Sequence, residues 1–361
     1  TGCCPCYQLG IGGMINMKLN SGIKIQLFPF LFLTCLLSQD LTVTALENEH
    51  QAAGNGLDTR TIETTVQFPE STDIYSQIIM NILLNCPTGG CDPWDRKAFI
   101  SVENFERWIE IGRYVTPYGV SCGWSLDVTD FRSILKGEVK LKSHIDTWVN
   151  PGWLVNIEFE FYEGMPEFQN SQVRNIWNRG QLVYGDPTQP VEIQTVSEYI
   201  YSDAEAVKLK ITTTGHGQGN SDNAAEFSNK THQIILHDGI SIDHNFWRSD
   251  CAQNECSPQN GTWQYARAGF CPGDVAPPME FDLTPFIIPG DVVDLDYVLE
   301  EYFNYCSPNN SACVNGQNGC TICNYNNSSH TEPFYFIASQ LIQYSNQYHS
   351  NADVFLFLEE M

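Results

Sequence analysis

The stretch VNIEFEFYE, residues 155–163, decides the fold class because apolar and polar side chains alternate along it. Val, Ile, Phe and Phe occupy the odd positions from 155 to 161, and Asn or Glu occupies the even positions between them. A period of two gives an extended strand one apolar face and one polar face. From about Thr61 onward, similar short runs are separated by Gly, Pro, Asn and Asp. The pattern predicts an all-β protein of antiparallel sheets, in sandwiches or barrels.

A second alternating run, residues 138–148, adds a candidate site to this frame. Its apolar positions, including Val139 and Leu141, are predicted to face the core. The opposite face then carries Asp146 beside Trp148. A carboxylate next to an aromatic ring suits a sugar, because the C–H faces of the sugar stack on the ring while its hydroxyls hydrogen-bond to the acid. Simple packing of an exposed tryptophan is the alternative interpretation.

The chain length of 361 residues favours two domains over one. The turn-rich sequence YEGMP at residues 162–166 interrupts the strand pattern and marks the predicted boundary. We expect a first domain over residues 46–163, with a loose lead over residues 46–60, and a second domain over residues 164–361. Each is predicted to be an antiparallel sandwich of ordinary domain size.

The first 45 residues are predicted to lie outside the folded domains. From Met17 onward, two lysines precede an apolar run at residues 25–37, and the Val-Thr-Ala sequence ending at Ala45 is typical of the cleavage site of a secretory leader. Residues 1–16 are then an upstream extension. The apolar run is short and interrupted for a bilayer span, so we expect no stable membrane insertion, with a membrane anchor as the alternative.

Ten of the fourteen cysteines follow Ala45, and an even number in an exported chain predicts disulfides. The cysteine-rich segment at residues 306–323 is consistent with either zinc ligation or a disulfide-closed loop, and export favours the loop. Five N-glycosylation sequons agree with a secretory route: Asn229, Asn260, Asn309, Asn326 and Asn327. We therefore expect a protein that is secreted or resides in the lumen of the secretory pathway.

The formal net charge of −25 argues against nucleic acid as a partner, because phosphates would be repelled. Neither a G-x-S-x-G motif nor a Gly-rich phosphate loop occurs. Four histidines lie close together in sequence, but their spacing matches no metal-ligand motif: His216, His232, His237 and His244. We predict no metal and no other cofactor, and we expect the chain to act as a monomer.

The densest group of reactive side chains is the sequence CDPWDR, which begins at Cys91. A disulfide between Cys86 and Cys91 would hold the following turn rigid, as the placement of a catalytic acid requires. Asp95 is the candidate acid, and Asp92 is predicted to be a turn former. A structural turn with a paired Asp and Arg is the competing interpretation.

Six blocks in a fixed order resemble one family, peptide-N-glycosidase F. They are CDPWDRKAFISV, WIEIGRYVTPYGV, LDVTDFRSILKG, DTWVNPG, AAEFSNKTHQI and GTWQYARAGFCPG. The resemblance runs from about Thr61 to Phe357 and implies two eight-stranded jelly rolls with the active site in the cleft between them. It also implies an amidase that removes N-linked glycans from asparagine. The expected partners are therefore N-linked glycopeptides and glycoproteins.

The resemblance implies roles for individual residues. Without it, Glu226 would be interpreted as a solvated turn residue and Arg267 as a surface arginine. Asp95 matches the catalytic aspartate of the family, Glu226 matches its glutamate between Ala and an aromatic residue, and Asp146 matches a third acid that is glutamate in the family. The implied substrate contacts are Trp94, Arg96, Trp148 and Arg267. A bridge between Cys251 and Cys271 is implied as well.

The chain also departs from the family pattern. Ala224 and Ser228 stand where the family has two bridged cysteines, so we expect Glu226 to be held less rigidly. Phe270 stands where the family can have a tryptophan. Asn229, the sequon three residues after Glu226, would crowd the cleft if it carried a glycan that pointed inward.

Two functions of other classes are the alternatives. A secreted carbohydrate-binding or adhesion module would keep the sandwich and the aromatic platform without catalysis. A copper monooxygenase of the peptide-amidating kind is similar in having two jelly rolls, but likeness of fold is weak evidence of function. That chemistry also requires sets of histidine ligands, which the sequence does not supply.

Overall fold

The computed structural model describes residues 40–347, except 187, 237–238 and 308–331. Short 3-10 helices lie at Thr129–Ile134, Ser221–Asn223, Cys251–Gln253 and Thr284–Phe286. In this part of the chain, no helix is long and apolar enough to cross a membrane. The strands are β1 (Leu41–Gln51), β2 (Ala53–Gly54), β3 (Leu57–Asp58), β4 (Thr61–Gln67), β5 (Tyr75–Asn85), β6 (Lys97–Asn104), β7 (Arg107–Val115), β8 (Cys122–Asp127), β9 (Glu138–Ile145), β10 (Trp153–Glu163), β11 (Asn170–Val183), β12 (Val196–Tyr199), β13 (Ala206–His216), β14 (His232–Leu236), β15 (Ile240–His244), β16 (Trp247–Arg248), β17 (Arg267–Ala268), β18 (Asp274–Val275), β19 (Met279–Asp282), β20 (Val292–Val298) and β21 (Phe334–Ser345).

The first half of the chain forms two antiparallel sheets that share one apolar core. Their strand orders are β1-β10-β5-β8 and β18-β7-β6-β9-β4. The alternation that predicted β10 is confirmed, because its four apolar side chains are all fully buried: Val155, Ile157, Phe159 and Phe161. In β9, Val139 and Leu141 also face the core as predicted.

The second half forms another pair of antiparallel sheets, with the orders β11-β21-β13-β19 and β12-β20-β14-β15. Its separate core includes Trp177, Leu209 and Tyr335. Each half therefore contributes eight strands to one sandwich. The predicted all-β fold of two eight-stranded antiparallel jelly rolls is confirmed.

Within the described residues, both sandwiches belong to the same compact unit. The short strand β18 comes from the second half but pairs with β7 of the first, with Asp274 opposite Val115. Arg113 in β7 is buried against Glu110 and donates a 2.9 Å hydrogen bond to the carbonyl oxygen of Phe336 in β21. These contacts connect the two sandwiches beside the candidate site.

The start of the folded chain differs from the prediction. β1 begins at Leu41, and its first residues pair with β10, with Val43 opposite Phe159. Excluding everything up to Ala45 from the fold is therefore wrong for residues 41–45, and the loose lead expected over residues 46–60 contains strands β1, β2 and β3. An apolar edge strand and the end of a leader have similar composition, so composition did not separate them. The rest of the predicted leader lies outside the described residues.

Three disulfides cross-link the described residues: Cys86–Cys91, Cys122–Cys256 and Cys251–Cys271. The second joins the two halves across 134 positions of sequence. Cys306 is disulfide-bonded as well. Most of the segment expected to be either a zinc site or a closed loop, including Cys313, Cys320 and Cys323, lies outside the described residues.

Candidate active site

A cavity of about 730 Å³ lies where the turn after Cys91, the end of β13 and the start of β17 meet. Four of the seven residues predicted for catalysis or substrate binding line it: Trp94, Asp95, Glu226 and Arg267. Much of the remaining wall is aromatic and comes from Tyr118, His216, Phe227, Tyr265, Phe270 and Phe334. Two carboxyl groups among ring faces suit a ligand that has both hydroxyls and apolar faces.

The turn that carries Asp95 is organised by Asp92. This side chain is fully buried, and its carboxylate accepts hydrogen bonds from Nε and Nη2 of Arg96 at 2.7 and 3.3 Å. It also accepts from the backbone N–H of Trp94 at 3.0 Å and from Oγ1 of Thr147 at 2.6 Å. A buried carboxylate with this many donors is fixed in place. Asp92 therefore does more than form a turn, because it also ties the turn to the segment after β9.

Asp95 lies half-buried in the cavity wall, which Tyr118 also lines, and the hydroxyl of Tyr118 favours the ionised form of the carboxyl group. Burial raises the pKa of Asp95, while the charge of Arg267 opposes the rise. The ring of Tyr118 lies against Gly261, where a Cβ atom would come within 2.8 Å of it. Only a glycine leaves room for the ring there, and φ of +77° also favours glycine.

Glu226 is held by both carboxylate oxygens. Oε1 accepts a 3.1 Å hydrogen bond from Nε of Arg267, and Oε2 accepts a 3.2 Å hydrogen bond from the backbone N–H of Gly217. These bonds position the side chain without the disulfide that Ala224 and Ser228 cannot form. Burial raises the pKa of Glu226 to about 7, with the charge of Asp95 adding to the rise and that of Arg267 opposing it.

Arg267 acts mainly inside the protein. Its side chain is 1% exposed, and besides Glu226 it donates to the carbonyl oxygens of Tyr265 and Thr262, both at 3.0 Å. The guanidinium carbon lies 4.9 Å from the ring centre of Phe227 and 5.7 Å from that of Phe270. Arg267 therefore fastens the loop before β17 to the carboxylate of Glu226.

Two family models match this chain. The model described as "Peptide-N-glycosidase F, N terminal" matches residues 97–161, and the model described as "Peptide-N-glycosidase F, C terminal" matches residues 184–319. Together they cover more than half of the sequence, in the order of the two sandwiches. The chain belongs to the peptide-N-glycosidase F family.

Individual relatives agree with this family. The peptide-N(4)-(N-acetyl-beta-D-glucosaminyl)asparagine amidase F of Elizabethkingia miricola is 29% identical over 323 residues, which are 85% of this chain and 84% of that protein. The solved structure of PNGase F, a glycosylasparaginase from Flavobacterium meningosepticum, has a TM-score of 0.75 at 27% identity and covers 86% of this chain and 98% of that chain. A structure of PNGF-II has a TM-score of 0.65 at 15% identity, covers 86% of this chain and 66% of that chain, and supports the fold alone.

Three residues to which the peptide-N-glycosidase F resemblance gives a role do not line the cavity: Arg96, Asp146 and Trp148. The guanidinium of Arg96 faces Asp92, as described above. Trp148 is 63% exposed, and the guanidinium carbon of Arg60 lies 4.4 Å above its ring. Trp94 is similarly exposed but stands at the cavity wall.

Asp146 reaches the cavity indirectly. Its carboxylate lies 3.2 Å from Nε2 of His144 and 3.6 Å from Nζ of Lys97, and Lys97 does line the cavity. Burial favours a higher pKa for Asp146, but the hydrogen bond from His144 and the charge of Lys97 outweigh it and lower the pKa. Asp146 is therefore an ionised partner of a cavity-lining lysine.

The cavity residues to which the sequence reasoning gave no catalytic or substrate role include Tyr118, Lys97 and His216. Two of them fall within the quoted family blocks, but nothing in their residue type marked them as functional. The ring of His216 stacks on that of Phe270 at 4.9 Å, and its Nε2 lies 3.0 Å from Oγ1 of Thr214. Burial and the charge of Lys97 lower the pKa of His216 to about 3, so this ring is neutral at ordinary pH.

His232 and His244, from the same sequence cluster, do not line the cavity. His232 and His244 are fully buried in the second sandwich, with ring centres 6.5 Å apart, and burial lowers the pKa of each to about 3. His237 lies outside the described residues. Within the described ranges, no three His, Cys, Asp or Glu side chains come together in a way that could hold a metal ion.

The sequon at Asn229 does not crowd this cavity. Asn229 is exposed and absent from the cavity lining, and its Oδ1 accepts a 2.9 Å hydrogen bond from Nδ2 of Asn245. The closeness of Asn229 to Glu226 in sequence therefore does not make it part of the cavity wall.

Proposed function

We propose that this chain is a peptide-N-glycosidase, which hydrolyses the amide bond between N-acetylglucosamine and asparagine in N-linked glycopeptides and glycoproteins. One observation carries the proposal: a chain of the peptide-N-glycosidase F family brings Asp95 and Glu226 into one cavity. Amides resist water, so the reaction needs an activated water, stabilisation of the oxyanion and a proton for the departing amine.

Asp95 is the proposed general base. Its carboxylate takes a proton from a water molecule as the water oxygen bonds to the side-chain carbonyl carbon of the asparagine. When the C–N bond breaks, Asp95 returns the proton to the departing nitrogen. The glycan leaves as a glycosylamine, which then loses ammonia in water, and aspartate remains in the peptide. The hydroxyl of Tyr118 favours the ionised carboxylate that this exchange requires.

Glu226 is the proposed companion acid. A pKa of about 7 leaves it partly protonated near neutral pH, so it has a proton to donate in a hydrogen bond to the sugar or to the attacking water. Asp95 and Glu226 influence each other, so they titrate as a pair, and the productive state keeps one proton between them. The charge of Arg267 stabilises negative charge that develops near this pair.

The same proposal covers partners and location. Disulfides persist in oxidising compartments, which supports a protein that is secreted or lumenal, where N-linked glycoproteins are found. Both proposed catalytic carboxyls come from one chain, which supports action as a monomer.

The proposal is tested by incubating the purified protein with a defined N-glycopeptide and following the peptide by mass spectrometry. We expect loss of the glycan and aspartate in place of asparagine. A carbohydrate-binding module would instead bind the glycan and leave the glycopeptide unchanged. An unchanged glycopeptide after incubation with protein whose fold is verified by circular dichroism overturns the proposal.

A further inference from the structure

Both arginines with predicted substrate contacts use their N–H groups inside the protein. Nε and Nη2 of Arg96 donate to the buried carboxylate of Asp92. Nε of Arg267 donates to Glu226, and its two terminal nitrogens donate to Tyr265 and Thr262. A guanidinium has five N–H groups, so Arg267 has little left to offer a ligand. The acceptor oxygens of a substrate are therefore expected to use cavity donors other than these two arginines.

Lys97 is a cavity-lining cation with donors to spare. It is the first residue of β6, and its side chain is 11% exposed. Its ammonium group carries three N–H groups. Nζ lies 3.6 Å from Oδ2 of Asp146, a long contact, and 3.6 Å from the ring centre of Phe336. Together these two partners fix the position of the ammonium and leave N–H groups for a ligand.

We propose that Lys97 contacts the substrate by donating hydrogen bonds to hydroxyl and N-acetyl oxygens of the bound glycan, and that Asp146 is its positioning residue. The inference rests on the proposed function, because it names the part of that site which recognises the glycan. It gives Asp146 a task different from the direct role that the family resemblance implies. Asp146 lies outside the cavity lining, and its other oxygen is occupied by His144.

Lys97 binds the glycan and takes no part in breaking the amide bond. The ammonium of Lys97 contacts Asp146 and the ring of Phe336, and it forms no ion pair with Asp95 or Glu226. Removing Lys97 should therefore weaken substrate binding and leave the chemical step largely intact.

The first test is calorimetry with the disaccharide di-N-acetylglucosamine. Lys97→Met keeps an unbranched side chain of similar length and removes the charge and the donors. We expect about tenfold weaker binding, and a matching rise in KM for a glycopeptide with little change in kcat. The matched control is Lys142→Met, which should bind normally. Lys142 also lies over a ring, that of Trp108 at 3.9 Å, and pairs with Glu63 at 2.8 Å, but it does not line the cavity.

A double-mutant cycle tests the positioning role of Asp146. Asp146→Asn should weaken disaccharide binding about threefold in the wild-type background and add nothing to Lys97→Met, because its effect passes through the lysine. Lys97→Arg, which keeps a cation, should recover part of the affinity. A further loss when Asp146→Asn is added to Lys97→Met would mean that Asp146 contacts the glycan itself, which overturns its positioning role.

Normal disaccharide affinity in a folded Lys97→Met protein would overturn the inference, and so would a wild-type protein that does not bind the disaccharide. Calorimetry needs no turnover, so it separates this inference from the proposed function. A protein whose disaccharide binding depends on Lys97 but that leaves glycopeptides intact supports the inference and contradicts only the proposed reaction.

Discussion

Nε of the buried Arg267 donates a 3.1 Å hydrogen bond to Oε1 of Glu226, a residue 41 positions earlier in the chain. The same principle recurs beneath Asp95, where the buried Asp92 holds Arg96 and the turn. In both places a buried charged residue, Arg267 or Asp92, helps to position a cavity-lining carboxyl. Residues that position a catalytic group and residues that take part in the reaction should therefore respond differently to substitution.

Arg267→Met should lower both stability and activity. The substitution leaves the carboxylate of Glu226 without its buried cation, and breaking such a pair typically costs about 3–5 kcal/mol. Urea unfolding measures the loss, and adding Glu226→Gln should recover part of it because the orphaned charge is then gone. The control is Arg248→Met, since Arg248 pairs with Asp250 and Asp274 away from the cavity lining. An equal loss of kcat/KM in Arg267→Met and Arg248→Met would contradict the claim that Arg267 positions Glu226.

The pH dependence of stability should carry the signature of Glu226. Its pKa rises from 4.5 to about 7 on folding, so between these values the native state holds more protons than the unfolded chain. Stability from this group is present below pH 4.5 and is lost as pH rises to about 7, by at most about 3 kcal/mol. The free energy of unfolding of wild type minus that of Glu226→Gln should therefore fall across this window.

Wild type must be compared with Glu226→Gln because three buried histidines change the free energy of unfolding with pH in the opposite direction. The pKa of each of His216, His232 and His244 is lowered to about 3, so protonation of the unfolded chain destabilises the fold as pH falls below 6.5. These residues are present in both proteins and cancel. Asp146→Asn serves as the control, because a lowered pKa places its effect below the Glu226 window. A flat difference curve for Glu226→Gln would refute the raised pKa.

Asp92→Ala should be among the most destabilising substitutions in the first sandwich. The substitution leaves the guanidinium of Arg96 without its buried carboxylate partner and removes the acceptor for the hydroxyl of Thr147. We therefore expect urea unfolding to show a free energy of unfolding that is lower by about 3–5 kcal/mol. Activity should fall as well, since the turn that carries Asp95 loses its anchor. The exposed pair of Asp58 and Arg60 has similar geometry, so Asp58→Ala is the control and should change little. Similar losses in both variants would argue against the buried network.

Tyr118→Phe should move the acid limb of the kcat/KM profile to higher pH. The hydroxyl of Tyr118 lowers the pKa of Asp95, so its removal makes the base harder to ionise. Tyr265→Phe is the control, because Tyr265 also lines the cavity but is half exposed. If the acid limb of the profile does not move in Tyr118→Phe, Tyr118 has no influence on the ionisation of Asp95.

Local pattern accounted for the fold well. Strict alternation predicted the buried face of β10. The family resemblance, and not local pattern, implied a common site for Asp95 and Glu226, and both line one cavity. Local pattern failed where composition is ambiguous, because an apolar strand from Leu41 reads like the end of a leader.

The remaining features depend on partners that are distant in sequence. Asp92 is a turn former by its neighbours, but its contact with Thr147 spans 55 positions. Cys122 pairs with Cys256 across 134 positions, which spacing alone does not reveal. Lys97 gains its place in the site from Asp146 and Phe336, neither of which is near it in sequence. The importance of these residues is recognised from their contacts in the structure and not from their residue type.

The central claim is that Asp95 activates water against the asparagine amide, and one measurement addresses it directly. Wild type and Asp95→Asn are incubated with an N-glycopeptide in water labelled with heavy oxygen, and the released peptide is examined by mass spectrometry. We predict one labelled oxygen in the new aspartate with wild type, and at least about a hundredfold slower release with Asp95→Asn while disaccharide binding persists. Unlabelled product, or full activity in Asp95→Asn, would contradict the account.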